Sequence, residues 1–171
     1  MTRTTTQHPS PLQAAASAVP TFGDLDRRSC ERILARNHVA RLAFAFHDRV
    51  DIEPIHYVYD KGWLFGRTSP GSKLVTISHS HWVALEVDEL DSLFDWRSVV
   101  VHGTFLTLDP DVPGVESQAW ARGISLLREL VPETGTARDP VAFRSIIFRI
   151  HVDTVTGREA STGKKTPERP R

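Results

Sequence analysis

Apolar and polar residues alternate with a period of two along most of the chain between residues 39 and 152, which is the pattern of half-buried β-strands. Short polar turns separate consecutive segments, as at residues 47–49 and 60–62, and such connections predict antiparallel hairpins. The alternation predicts six strands, at residues 39–46, 50–59, 63–68, 83–88, 97–108 and 142–152. Gly103 stands late in a β-branched run, where it indicates a bulge or a close backbone approach.

Helical spacing of apolar residues is confined to short stretches of the sequence. Residues 25–36 have Asp26 as a capping residue and place Cys30 on an apolar face, as a small core residue. Residues 115–131 repeat apolar side chains at helical intervals, and a third, short helix is predicted with Ser69 as its N-cap. So few helices beside six strands predict a mainly β fold, a closed or nearly closed antiparallel β-barrel, because closure removes exposed sheet edges.

The composition indicates one globular domain with two tails. The chain has 171 residues, of which 40% are hydrophobic and 25% are charged. Residues 1–20 are rich in Thr, Ser, Pro and Ala, and residues 159–171 are charged and contain Pro and Gly. Both segments are therefore predicted to be disordered tails of a domain that spans residues 21–158.

Charge and cysteine content exclude several classes of partner. The 21 basic and 21 acidic residues cancel, so no global charge recruits nucleic acid or an anionic membrane. The single cysteine rules out an intramolecular disulfide. Because the sequence shows neither an apolar leader nor a run of roughly eighteen apolar residues, it predicts a cytoplasmic protein that does not enter a membrane.

An anion site is predicted where the third strand ends. Residues 64–74 run from an apolar strand through a turn rich in cations and hydroxyls into the start of the short helix. Helix-start N–H groups attract anions, and charge-assisted hydrogen bonds to a phosphate are predicted from Arg67, Thr68, Ser69, Ser72 and Lys73. The glycine spacing matches a nucleoside triphosphate loop, but a serine precedes the lysine, which excludes that motif. The alternative to an anion site is that this turn is a solvated basic loop without a ligand.

Several segments together carry a family resemblance by their order and spacing. They are residues 39–44, 54–57, 65–74, 83–88, 96–103 and 155–158. In these segments the chain resembles the pyridoxamine 5′-phosphate oxidase-like, FMN-binding split-barrel superfamily, and within it the nitroimidazole-resistance-like branch of actinobacteria. The resemblance covers roughly residues 24–158 and implies a six-stranded antiparallel split β-barrel with a few peripheral helices.

The resemblance also implies a homodimer that binds flavin mononucleotide (FMN) in grooves at the subunit interface. Lys73 and the turn before it would hold the phosphate, and the isoalloxazine ring would rest on the strand that contains Pro54. Pro54 lacks an N–H, which fits a strand edge or a bulge where neighbouring backbone groups remain free for the polar rim of a flavin. His56, where the branch commonly has Asn, and Tyr57 alternate, so one should face the pocket and the other away. The residues assigned to the cofactor are Pro54, Ile55, His56, Tyr57, Arg67, Thr68, Ser69, Ser72, Lys73, Trp96 and Ser98.

The implied function is that of an FMN-binding flavoprotein, a flavin-dependent oxidoreductase that acts on an unidentified small molecule. Residues 161–171 do not match the Arg/His-rich C-terminal apparatus of the vitamin-synthesising enzymes, so oxidation of pyridoxamine phosphate is not expected. Two alternatives remain: a reductase that uses the deazaflavin F420, and a non-catalytic module that binds flavin or haem, with His47, His56 or His102 as axial ligand. No side chain is assigned as a catalytic acid or base. No metal site is predicted, because the histidine pair at residues 79–81 lacks a third partner.

Overall fold

The computed structural model describes residues 19–46, 48–71, 74, 77 and 80–163. Seven strands and two helices lie within this part of the chain. In chain order they are β1 (Thr21–Leu25), α1 (Arg27–Arg36), β2 (Val39–Phe46), β3 (Arg49–Asp60), β4 (Trp63–Thr68), β5 (Trp82–Ser92), β6 (Asp95–Thr107), α2 (Val115–Leu130) and β7 (Ile146–Ser161). Leu74, Ile77 and Ser80 have helical backbone, at the place where the short third helix is predicted.

The strands form one antiparallel sheet in the order β1-β7-β4-β3-β2-β5-β6, and a further pairing of β6 with β7 closes it. β7 makes this closure possible because its 16 residues pair with β6 along one edge and with two strands along the other. Its first half pairs with β4 and its second half with β1. Strands β2 to β7 therefore form the predicted barrel of six strands, and β1 extends the wall next to β4.

β1 and the second half of β7 go beyond the predicted strands. They pair with each other, from Thr21 opposite Ser161 to Leu25 opposite Gly157. The last strand thus continues past the predicted domain boundary at residue 158. A five-residue strand such as β1 carries too few positions to show a period, so only its partner reveals it.

A bulge explains why the apolar alternation of β7 stops at Val152 although the strand continues. The register with β6 shifts between His102 and Gly103, and Asp153 and Thr154 both face outward. A Cβ at Gly103 would lie 2.0 Å from a carbonyl oxygen of β7. The predicted bulge and close approach at Gly103 are therefore confirmed.

α1 packs its apolar face against the interior of the barrel. Cys30, Ile33 and Leu34 are buried there, which confirms Cys30 as a core residue, and burial raises the pKa of its thiol. Asp26 caps the helix by accepting a hydrogen bond from the Ser29 amide at 2.6 Å. Neither α1 nor α2, the two full helices of the described residues, is long and apolar enough to cross a bilayer.

α2 covers a different part of the barrel, the outer face of β4 and β7. Ile124 and Leu127 pack there against Phe65 and Ile147 in a second apolar cluster. Large apolar side chains remain exposed on the outer face of β2, β3 and β5, among them Trp82 at 61%. We call this surface the uncovered face; its exposed members are Val39, Val50, Ile52 and Trp82.

Candidate functional site

β3 has a free edge over much of its length. β4 pairs with β3 only from Tyr57 to Asp60, so in the described chain no strand lies beside the other edge of residues 49–56. The Tyr57 amide donates to His38 on the β2 side at 3.0 Å. Because bonding direction alternates along a strand, the backbone of Pro54 and His56 points to the free edge. The missing N–H of Pro54 therefore breaks no ladder bond, which confirms the predicted edge position.

The predicted phosphate turn begins where β4 separates from β3. Gly66 is the last β4 residue paired with β3, whereas Arg67 and Thr68 pair only with β7. A Cβ at Gly66 would lie 2.9 Å from the carbonyl oxygen of His56, so glycine permits the close approach of the two strands at this point. The barrel is thus split between β3 and β4, with backbone groups of the β3 edge on one side and the hydroxyl-rich turn on the other.

Pro54 and His56 lie on the β3 side of this split, and Thr68 and Ser69 follow Gly66 on the β4 side. Pro54 and His56 are exposed, Thr68 is buried and Ser69 is half-buried. The Leu74 amide donates to the carbonyl of Gly71 at 3.1 Å, which continues the chain from the turn toward the helical residues. The predicted phosphate ligands Ser72 and Lys73 lie outside the described residues, as do the histidines at positions 47 and 79.

Ile55 and Tyr57 point into the barrel, away from the split. Tyr57 is fully buried and its hydroxyl donates to the carbonyl of Leu34 at 2.9 Å. Burial, and after it the charge of Glu89, raises the pKa of Tyr57 far above its usual value. His56 and Tyr57 therefore face opposite sides of the sheet, as predicted, and His56 is the one on the outside. Ile55 and Tyr57 have only their backbone to offer to a ligand in the split.

Arg67 is already paired, which the sequence did not indicate. Its Nη1 donates to Oδ2 of Asp139 at 2.5 Å, and the two side chains are 8% and 4% exposed. Asp139 also accepts from the amides of Gly135 and Val141, and these bonds, led by that of Gly135, together with Arg67 lower the pKa of Asp139 to about 2. An Asp before Pro140 in a polar loop is a turn signal, but nothing local in the sequence pairs it with an arginine 72 residues away.

Trp96 and Ser98 lie on β6, away from the split in this protomer. Ser98 pairs with Asp88 of β5, while His56 pairs with Val39 of β2. The order β3-β2-β5-β6 places Ser98 three strand spacings from the β3 edge, about 14 Å at about 4.8 Å per strand. Ser98 donates to Glu86 at 2.9 Å. The structure thus does not bring these two predicted residues to the others within one chain, because strand order is set by the barrel and not by local pattern.

Between these two regions, the uncovered face combines a charged cluster with an apolar cleft. Arg41 contacts Glu86 at 3.0 Å and Asp88 at 2.8 Å, and these carboxylates, Asp88 first, raise its pKa. The cleft is shallow, has a volume of about 220 Å³, and has a floor of small side chains. Its lining is Ala43, Phe44, Ala45, Val50, Trp82, Val83, Ala84 and His102.

A known protein family matches most of the chain. The family model described as pyridoxamine 5′-phosphate oxidase matches residues 26–159. The chain therefore belongs to the pyridoxamine 5′-phosphate oxidase-like family, which confirms the resemblance and the split-barrel fold.

Individual relatives also match most of the chain. A crystal structure of an FAD-binding protein from Mesorhizobium loti is 31% identical, with a TM-score of 0.67, and the match covers 82% of this chain and 99% of that one. An uncharacterized protein of Rhizobium meliloti is 31% identical over 152 residues, which are 82% of this chain and 96% of the relative. An FAD-binding protein from Mycobacterium smegmatis, at 22% identity and a TM-score of 0.58, covers 81% of this chain and 98% of its own, and shares the fold.

Proposed function

We propose that this protein binds a flavin nucleotide in the split between β3 and β4, and that it acts as a flavin-dependent oxidoreductase on a small molecule. The observation that carries the proposal is the juxtaposition of the free β3 edge with the hydroxyl-rich turn that follows Gly66. The relative from Mesorhizobium loti, named as FAD-binding at 31% identity, supports the choice of a flavin. FMN is the proposed form, and FAD contains the same phosphate next to its riboflavin unit.

The residues at the split fit the two ends of such a ligand. Backbone N–H and C=O groups at the free edge around Pro54 and His56 match the alternating donors and acceptors of the polar rim of an isoalloxazine. The hydroxyls of Thr68 and Ser69, together with the predicted ligand Lys73, suit a phosphate. A bound flavin would supply hydride transfer, while the chain binds it, orients it and excludes water. His56 belongs to this edge and its side chain is exposed. We assign it to contact with the ligand.

The same proposal includes a homodimer formed through the uncovered face. This face exposes four large apolar side chains, those of Val39, Val50, Ile52 and Trp82. Exposure of apolar surface to water is unfavourable, and a second copy would bury it. A two-fold dimer uses one self-complementary patch. Within one chain, Ser98 lies about 14 Å from the β3 edge. In such a dimer, β6 of the second copy would instead bring its own Ser98 to the β3 edge of the first.

The first experiment identifies the ligand. We expect the purified protein to be yellow, with absorbance near ~450 nm from the flavin itself, and extraction followed by mass spectrometry then distinguishes FMN from FAD. Titration of the ligand-free protein with FMN, FAD, F420 and haem ranks the alternatives. Stopped-flow mixing with nicotinamide or deazaflavin cofactors tests for reduction. A protein that takes up neither FMN nor FAD refutes the proposal, and a bound flavin that no donor reduces refutes its oxidoreductase part.

A second experiment tests the dimer. Trp82 is 61% exposed, so Trp82→Glu should leave the fold intact and place a charge on the uncovered face. We expect sedimentation to show a dimer for the wild type and a monomer, with weakened flavin binding, for the variant. Leu93→Glu, at a position 78% exposed in the turn between β5 and β6, is the matched control and should remain dimeric. A monomeric wild type refutes the dimer.

A further inference from the structure

The loop between α2 and β7 presents a carboxylate to the one described arginine of the predicted phosphate turn. Arg67 directly precedes the first hydroxyl of that turn, Thr68. Its guanidinium is held at 2.5 Å by Asp139, and with side-chain exposures of 8% and 4% the pair is closed off from solvent. The cation that the turn would offer to a phosphate is therefore covered by a group of the protein itself.

Asp139 is held in place by its own loop as well as by Arg67. Oδ2 accepts from the Gly135 amide at 2.9 Å and Oδ1 accepts from the Val141 amide at 3.0 Å. These bonds keep the pKa of Asp139 at about 2, so the group is an anion at every pH at which the protein would work. Residues 135–141 thus hold the carboxylate in the position in which it accepts the hydrogen bond from Arg67.

We propose that Asp139 competes with the phosphate of the ligand for Arg67 and thereby determines how strongly the site prefers a phosphorylated flavin to riboflavin. The inference rests on the proposed function. Carboxylate and phosphate are alternative acceptors for a guanidinium, and both form charge-assisted hydrogen bonds with it. Because the Arg67–Asp139 pair is closed off from solvent, a phosphate that binds Arg67 displaces Asp139. This exchange opposes binding of the phosphate and leaves the ring system unaffected.

The experiment compares FMN with riboflavin, which differ only in the phosphate. Affinities are measured by quenching of flavin fluorescence for the wild type and for Asp139→Asn, which keeps the shape of the side chain and removes its charge. We expect the variant to bind FMN about tenfold more tightly, or about 1.4 kcal/mol, with riboflavin unchanged. Asp60→Asn is the matched control, since Asp60 pairs with Arg122 at 3.0 Å in another part of the barrel. It should change neither affinity.

A coupled variant tests whether the effect passes through Arg67. In an Arg67→Gln background, Asp139→Asn should no longer change FMN affinity. The inference is overturned if Asp139→Asn leaves the ratio of FMN to riboflavin affinity unchanged or lowers it, or if its gain persists without Arg67. A wild type that binds neither flavin refutes the proposed function instead.

Circular dichroism establishes that the variants are folded. Should Asp139→Asn fail to fold, hydrogen–deuterium exchange of the wild type decides. FMN is then expected to accelerate exchange in the peptide that contains residues 135–141, because Asp139 is released from Arg67. Slower or unchanged exchange in that peptide overturns the inference.

Discussion

The substitution Gly66→Ala should lower the free energy of unfolding far more than the replacement of one glycine normally does. The added Cβ would lie 2.3 Å from Cζ of Phe148 and 2.9 Å from the carbonyl oxygen of His56. The phenyl ring cannot move aside, because Phe148 is 1% exposed and its ring stacks on Phe105 at 4.6 Å between centroids. The carbonyl belongs to the sheet backbone. Relief of the first contact requires β4 to move away from β7, which carries Phe148, and relief of the second requires β4 to move away from β3.

The size of the effect follows from the cost of overpacking. Inserting one methylene into a packed core costs about 1–3 kcal/mol, and two simultaneous contacts, one of them with backbone, place Gly66→Ala at the upper end, about 3 kcal/mol. For a domain of this length the midpoint of thermal unfolding shifts by about 2–4 °C per kcal/mol, which gives about 6–12 °C. The movement of β4 also widens the split, so we expect flavin affinity to fall in the folded fraction.

Gly23→Ala is the matched control, because Gly23 also lies inside a strand but a Cβ there meets nothing within 4 Å. It should melt at or slightly above the wild-type midpoint, since alanine loses less backbone entropy on folding. Calorimetry and urea unfolding of both variants supply the comparison. If Gly66→Ala melts within about 2 °C of the wild type, the distance between β3 and β4 at Gly66 must be larger than in the structure.

Three further outcomes are expected. Tyr57→Phe, which removes the hydrogen bond to Leu34 in a fully buried site, should lower the free energy of unfolding by about 0.5–1.5 kcal/mol in urea titrations, and an unchanged value would contradict the bond. The pKa of Asp139 is about 2 in the folded state and about 3.9 when unfolded; its contribution to stability is therefore complete above about pH 4 and is lost as the pH falls toward 2. Urea midpoints measured across this window should fall less steeply for Asp139→Asn than for the wild type. Lys73→Ala should weaken FMN binding by about 1–3 kcal/mol in fluorescence titrations, and an unchanged affinity would remove Lys73 from the phosphate site.

The strands of the barrel could be predicted because each carries its own period. β2, β3 and β5 alternate between a buried inner face and an outer face, and this signal is local. β1 escaped prediction because its five residues gain their structure only from β7. The second half of β7 escaped because its bulge turns Asp153 and Thr154 outward together and ends the alternation. In both cases the missing information lay in the partner strand.

The candidate site likewise has features that the sequence predicts and features that depend on the fold. The edge position of Pro54 and the opposite directions of His56 and Tyr57 follow from the chemistry of proline and the period of a strand, and both could be predicted. The pairing of Arg67 with Asp139 joins residues 72 positions apart through the fold, and no local pattern encodes it. The separation of Ser98 from the β3 edge depends on strand order, which the pattern of apolar residues leaves open.

One structural event, the separation of β4 from β3 after Gly66, links the stability of the barrel to its proposed chemistry. Up to Gly66, β4 satisfies the backbone of β3, and beyond it β4 pairs only with β7. The backbone groups of β3 near Pro54 and His56 are then left without a strand, and unsatisfied backbone groups are costly unless water or a ligand meets them. A ligand with donors and acceptors along one rim completes this edge as a strand would. Flavin binding should therefore raise the thermal midpoint of the protein, and Gly66, which touches no ligand in this scheme, should control both properties because it sets where the strands part.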